Sequence, residues 1–177
     1  MMSKYVAAVL LCALCLNAQS GSTSIAASIS WKPLEFLIGT WEAKTQGGSV
    51  GASSSGTYTF KMDLRDTVLA RYSGTAGCKG PADFNCDHVD LLYAYSDATA
   101  RSYKAIYFDN EGHVIHYAIS ISSAGSAVFL SDPSQLGPQH RLSYELKGSV
   151  MYGKFQMRMP GQTEFKSYLE WSGEKKN

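Results

Sequence analysis

Thr57-Tyr58-Thr59-Phe60-Lys61-Met62-Asp63-Leu64 alternates polar and apolar side chains at every step. That is the period of a strand with one face in a core and the other in water. Downstream of the Arg65-Asp66 turn the pattern resumes at residues 68–72, and again at 88–95 and 102–108, with Ser96-Asp97-Ala98-Thr99 between the last two. Asp109-Asn110-Glu111-Gly112 is a turn signal, and residues 113–122 read as the returning strand. Segments 126–130, 139–146, 150–159 and 164–171 complete the set, with Lys147-Gly148-Ser149 and Pro160-Gly161-Gln162 as hairpin-like connections. Upstream, Gly39-Thr40-Trp41-Glu42-Ala43-Lys44-Thr45 opens a first strand, and residues 46–55 read as a Gly/Ser linker. Residues 31–38 form a short helical turn, with Pro33 tolerated near its start.

Such a chain of about ten short strands must hide its edges, by closing into a barrel or by pairing as a sandwich. Mostly short sequential connections favour an all-β, antiparallel up-and-down barrel over a Greek-key sandwich. No helical periodicity extends beyond the N-terminal turn, and no internal repeat is present.

The first residues read as a targeting signal rather than as fold. Lys4 supplies a positive charge, residues 5–16 are almost wholly apolar, and Ala18 offers a small residue at a cleavage point. The domain reading is therefore a signal peptide over 1–18, a flexible Ser/Ala/Gly lead-in over 19–30 and one barrel domain over 31–177. Export to the periplasm or the exterior follows, with no membrane span after cleavage. The full chain has 177 residues, with 16 Lys and Arg against 15 Asp and Glu. That balance gives no basic face for phosphates, and no nucleic-acid partner is expected.

Of the four cysteines, Cys12 and Cys15 lie in the signal, which leaves Cys78 and Cys86 flanking a loop of turn-forming residues. An even pair in an oxidising compartment reads as a disulfide. The rival is a metal site of Cys78, Cys86, Asp87 and His88, which lacks a second ligand pair at zinc spacing. No metal and no cofactor are expected.

The stretch Leu34-Glu35-Phe36-Leu37-Ile38-Gly39-Thr40-Trp41-Glu42 resembles the Gly-x-Trp opening of the lipocalin-like (calycin) barrels. It is most similar to the bacterial exported DUF1579-type family and, more distantly, to the nitrobindin-like barrels. Tyr93-Ala94-Tyr95-Ser96-Asp97, followed by a strand ending in Tyr107-Phe108-Asp109-Asn110-Glu111-Gly112, fits the same pattern. The resemblance implies a plugged barrel with Trp41 capped by a late basic side chain, for which Arg158 is the nearest candidate. The nitrobindin likeness implies haem on a histidine, but a C-terminal His is missing from residues 164–177.

A barrel of this size either fills with side chains or holds one small ligand. The tyrosines, apolar in body and polar at the tip, suit a wall for amphipathic ligands, and the methionines suit an adaptable one. The expected ligand-binding wall is Trp41, Tyr58, Phe60, Tyr93, Tyr95, Tyr107, His113 and Tyr117. His113 and His116, three apart on a strand, face opposite sides and cannot share a metal. His113 keeps company with Ile115, Tyr117 and Ile119, so it is the one expected to look inward. Gly47-Gly48-Ser49-Val50-Gly51 matches a nucleophile-elbow pattern, but no helix follows and the match is accidental.

The resulting expectation is an exported, non-enzymatic barrel holding a small apolar or amphipathic molecule, with no catalytic residue assigned. The alternatives are a filled barrel acting through its surface, an enzyme using His113 or His88 at the mouth, and a haem barrel using His113.

Overall fold

The computed structural model describes residues 29–176. The residues expected to form a signal peptide and most of the expected lead-in lie outside them. A 3-10 turn (Lys32–Leu37), with Pro33 in its first positions, leads into ten strands. These are β1 (Gly39–Gly47), β2 (Ser53–Asp63), β3 (Val68–Lys79), β4 (Val89–Asp97), β5 (Ser102–Asp109), β6 (Val114–Ser123), β7 (Ser126–Ser131), β8 (Gln139–Lys147), β9 (Val150–Arg158) and β10 (Lys166–Lys175). Every strand pairs antiparallel with its neighbours in sequence, and β10 pairs with β1 to close the cylinder. The all-β up-and-down barrel is therefore the fold, consistent with a calycin-like one.

Alternation sets which residues enter the interior. Across β2, Tyr58 and Phe60 are buried while Thr57, Thr59 and Lys61 between them are less so. The inward rows of successive strands align: Leu92, Tyr107 and Ile115 stand side by side, and so do Ala94, Ala105 and Tyr117. The turn closes one end of the barrel. Its Leu34 and Leu37 are fully buried, and Trp31 lies against Tyr103 of β5 with ring centroids 5.5 Å apart. Above that plug, Phe60, Phe129, Tyr58 and Tyr144 interlock at centroid distances of 5.4 to 6.1 Å. Edge-to-face packing of this kind adds ~0.5–1.5 kcal/mol per pair beyond area burial.

Trp41 anchors the closure. Its indole N–H donates to the Leu37 carbonyl at 2.9 Å, tying β1 to the plugging turn. Its cap is Lys175 of β10, directly opposite in register, with Nζ 5.6 Å from the ring. Arg158, the expected cap, instead donates to Gln139 and lies over the Phe165 ring. It sits at the far end of its strand, whereas closure brings the C-terminal strand alongside the first. Gly39 completes the arrangement: its φ of +135° strains any side chain, and the Lys175 stem packs where a Cβ would stand.

Four strands run past the ends that the alternation predicts. The Gly/Ser linker contributes its two ends to β1 and β2, where the Ser54 N–H donates to the Thr45 hydroxyl at 2.9 Å. β3 runs on to carry Cys78, which is bonded to Cys86. β10 bulges between Ser167 and Leu169 and continues past Trp171. Gly47 to Gly51 spans the end of β1 and the connection to β2.

Two stability outcomes follow. Trp41→Ala lowers the unfolding free energy by ~3–5 kcal/mol in urea titrations; a loss under ~1 kcal/mol contradicts the anchor. Replacing Cys78 and Cys86 by Ser costs ~2–3 kcal/mol on the chain-entropy account, and an unchanged midpoint contradicts it.

Candidate functional site

Above the aromatic layer the lumen is open. A cavity of about 400 Å³ extends to the barrel end formed by the disulfide loop, the β5–β6 turn and the neighbouring strand ends. Its walls are largely apolar, with Ile115 from β6, Leu142 from β8, Phe155 and Met157 from β9, and Leu169 from β10. Tyr58, Arg71 and Trp171 line it as well. This is the size range and wall chemistry of small-molecule sites.

One wall is a continuous polar network. Arg71 of β3, 7% exposed, holds Asp90 of β4 at 2.9 Å. The other carboxylate oxygen of Asp90 accepts from the Ser73 hydroxyl at 2.5 Å and lies 3.4 Å from His88 Nε2. His88 Nδ1 meets Glu111 at 2.8 Å, and the Tyr107 hydroxyl stands 3.2 Å from His88 Nε2. Tyr107 donates to Asp109 at 3.1 Å. Asp109 also accepts from the Glu111 and His113 backbone N–H groups and pairs with His113 Nδ1 at 2.8 Å. The β5–β6 turn is thus built around one buried carboxylate, which accepts the backbone donors that the turn frees.

Protonation follows from these contacts. Burial would push the Asp90 carboxyl up, but Arg71, His88 and Ser73 outweigh it and hold it below its ordinary value of 3.8. Asp109 is likewise held low against its burial by the N–H groups and side chains around it. His88 is raised above 6.5, first by Asp90, then by Glu111 against partial burial. His140, stacked on Phe155 at 5.5 Å, is lowered by burial and by His113. Tyr107 is raised by burial and by the two aspartates, so its hydroxyl stays protonated.

The expected wall residues divide three ways. Tyr58, Tyr107 and His113 line the cavity. Trp41, Phe60 and Tyr117 are buried in the filled part below. Tyr93 and Tyr95 correct the expectation: in β4 the even positions Leu92 and Ala94 point in, so both tyrosines stand outside. There Tyr93 meets Tyr72, hydroxyl to hydroxyl, at 3.2 Å. His113 also differs from its expected inward position. Its imidazole is at the rim with the side chain 62% exposed, which does not fit the buried axial position of a haem ligand. Arg71, Asp90, Asp109, Glu111, His140 and Trp171 went unassigned as site residues, because charged or isolated positions in a strand read as solvent-facing until their partners are known.

No family model matches the chain, and no curated protein matches it. Its chemistry therefore rests on the cavity itself. His88, Asp109 and Glu111 each offer a ligand atom within 4.8 Å of the others. Each of the three already has a hydrogen-bond partner in the network, so their grouping is accounted for without an ion.

The network fixes a pH signature. Asp90 contributes stability that is complete above 3.8 and is lost as pH falls through its lowered value. His88 contributes stability that is complete below 6.5 and is lost as pH rises through its raised value. The stability difference between wild type and His88→Gln is therefore full near ~pH 5.5 and shrinks toward ~pH 8 in urea titrations. A difference that is flat or grows with pH contradicts the assignment.

Proposed function

We propose that this chain is an exported binding protein whose barrel holds one small apolar or amphipathic molecule. The observation that carries the reading is the cavity of about 400 Å³, apolar on most of its wall and polar along one side. A barrel with no cargo gains most by filling its lumen, since close packing contributes dispersion that a void forfeits. Here the filled half stops at the aromatic layer, and the buried charges of Arg71 and Asp90 face the open half. Buried charges carry a desolvation cost that hydrophobic replacements would avoid. Their place in a cavity wall supports a role in recognising something polar on the cargo.

Export is supported by the signal-like residues 1–18 and by the Cys78–Cys86 disulfide. The likeness to the bacterial exported DUF1579-type family points the same way. Neither nucleic acid nor a membrane is part of this reading.

A second reading has one observation in its favour. The Tyr107 hydroxyl and the Asp90 carboxylate both approach His88 Nε2 on the cavity wall. That is the company a proton-transferring histidine needs. Under this reading a captured ligand with an acidic C–H gains deuterium from D2O on incubation, and His88→Gln slows the exchange.

Native mass spectrometry of the exported protein, beside a denatured sample, tests the leading reading. The expected result is an added mass that disappears on denaturation, of a size the cavity can enclose. A bare chain carrying only its disulfide, across preparations from the native source, favours the filled-barrel alternative instead.

A further inference from the structure

The inner end of the cavity gathers buried polar groups rich in donors. Among the described residues, Arg71 Nε, Trp171 Nε1 and the hydroxyls of Tyr58 and Tyr144 are buried without a hydrogen-bond partner from the protein. The four belong to one neighbourhood. The Arg71 guanidinium lies 5.6 Å from the Tyr58 ring centroid, Tyr58 is 5.9 Å from Tyr144, and Tyr144 is 6.0 Å from Trp171. Tyr58, Arg71 and Trp171 all line the cavity. The Trp171 N–H is near enough to the Tyr58 oxygen to counter part of its pKa shift, yet no hydrogen bond forms between them. Gly153 opposite Trp171 makes the grouping possible, because a Cβ there would overlap the indole.

Chemistry narrows what these atoms want. An indole N–H and a guanidinium Nε can only donate. Burial pushes the Tyr58 phenol up to about 12 and raises Tyr144 too, so both stay neutral and can donate. The carboxylate nearest to them is already engaged: Asp90 is shared among Arg71, Ser73 and His88. Buried donors left unpaired are penalised, so an oxygen with free lone pairs suits them. Charge decides which oxygen. Asp90 already answers the Arg71 cation at 2.9 Å, and Asp109 and Glu111 stand on the same cavity wall. A carboxylate brought here would be an uncompensated buried anion.

Resting on the binding reading, we infer that the cavity takes a neutral ligand with a carbonyl-type oxygen, seated oxygen-first against Arg71, Tyr58 and Trp171. Its apolar body lies one inward row nearer the mouth, against Ile115, Leu142, Phe155 and Leu169. Those side chains offer no polar atom, so they bind shape and the inner end binds the oxygen. The specificity follows from the cost of leaving donors unpaired, which penalises an analogue lacking the oxygen.

Three probes of one size separate the possibilities: 2-acetylnaphthalene, 2-ethylnaphthalene and 2-naphthoate, measured by equilibrium dialysis against the full exported protein at neutral pH. The ketone binds about ten-fold tighter than both the hydrocarbon and the carboxylate, the ratio that corresponds to ~1.4 kcal/mol. Its infrared carbonyl band moves to lower frequency when bound. Tyr58→Phe and Trp171→Phe together reduce the ketone to the affinity of the hydrocarbon, whose retained binding shows that the variant is folded. Equal binding of ketone and hydrocarbon overturns the inference and leaves the cavity reading standing. Tighter binding of the naphthoate overturns it in favour of an anion site. A ketone preference that survives both substitutions also overturns it, and binding of none of the three overturns this inference together with the reading it rests on.

Discussion

The circumference of a ten-stranded closed sheet is the constraint from which the rest follows. Eight strands leave an interior that side chains just fill, or room for one small ligand, and two more strands widen it. Pairing of β10 with β1 imposes that closure, and Trp41 secures it through bonds to both partners: the Leu37 carbonyl beneath and Lys175 across the seam. Once closed, the barrel has more lumen than its inward residues can occupy. The aromatic layer around Tyr144 fills one half, with the 3-10 turn beneath it as a plug. The other half stays open, and the chain spends its polar residues there.

Those polar residues are placed by register rather than by loops. Arg71 and Asp90 approach because the inward rows of β3 and β4 meet at the mouth end of both strands, and Ser73 is the next inward residue of β3. Tyr107 and Asp109 are the last inward positions of β5, so the β5–β6 turn folds back onto the strand it leaves. Within the hydrogen-bonded network His88, Glu111 and His113 come from connections, and each is tethered to a strand residue or a turn carboxylate. Sites held on strands keep their geometry better than sites on loops. The wall is rigid where the charges are buried and looser at the rim.

How much of this the sequence discloses differs from element to element. β2 is legible from Thr57 on because there its two faces differ in polarity at each step, so Tyr58 and Phe60 declare the inside. β4 is not, because Leu91-Leu92-Tyr93-Ala94-Tyr95 is apolar on both faces. Bulk alone then selects the tyrosines, and a one-residue error in phase exchanges the two faces. What fixes the phase is Asp90, drawn inward by Arg71 from the neighbouring strand. A charged residue in a strand pattern reads as outward unless its partner is already known. The same holds for Lys175, whose role over Trp41 depends on the closure joining the two ends of the domain. The disulfide was legible because the expected compartment and the short turn-forming spacing agree, whereas the buried polar cluster of Arg71, Tyr58, Tyr144 and Trp171 gathers residues from four strands and leaves no local signal.

The central claim is that the lumen is divided, packed below Tyr144 and hollow above it. Crystals of the protein held under xenon pressure test that division directly, because xenon enters apolar space that side chains leave empty. The account predicts xenon against Ile115, Leu142, Phe155 and Leu169, and none among Trp41, Phe60 and Phe129. Side chains collapsed into the upper half with no xenon there, or xenon within the aromatic layer, would contradict it.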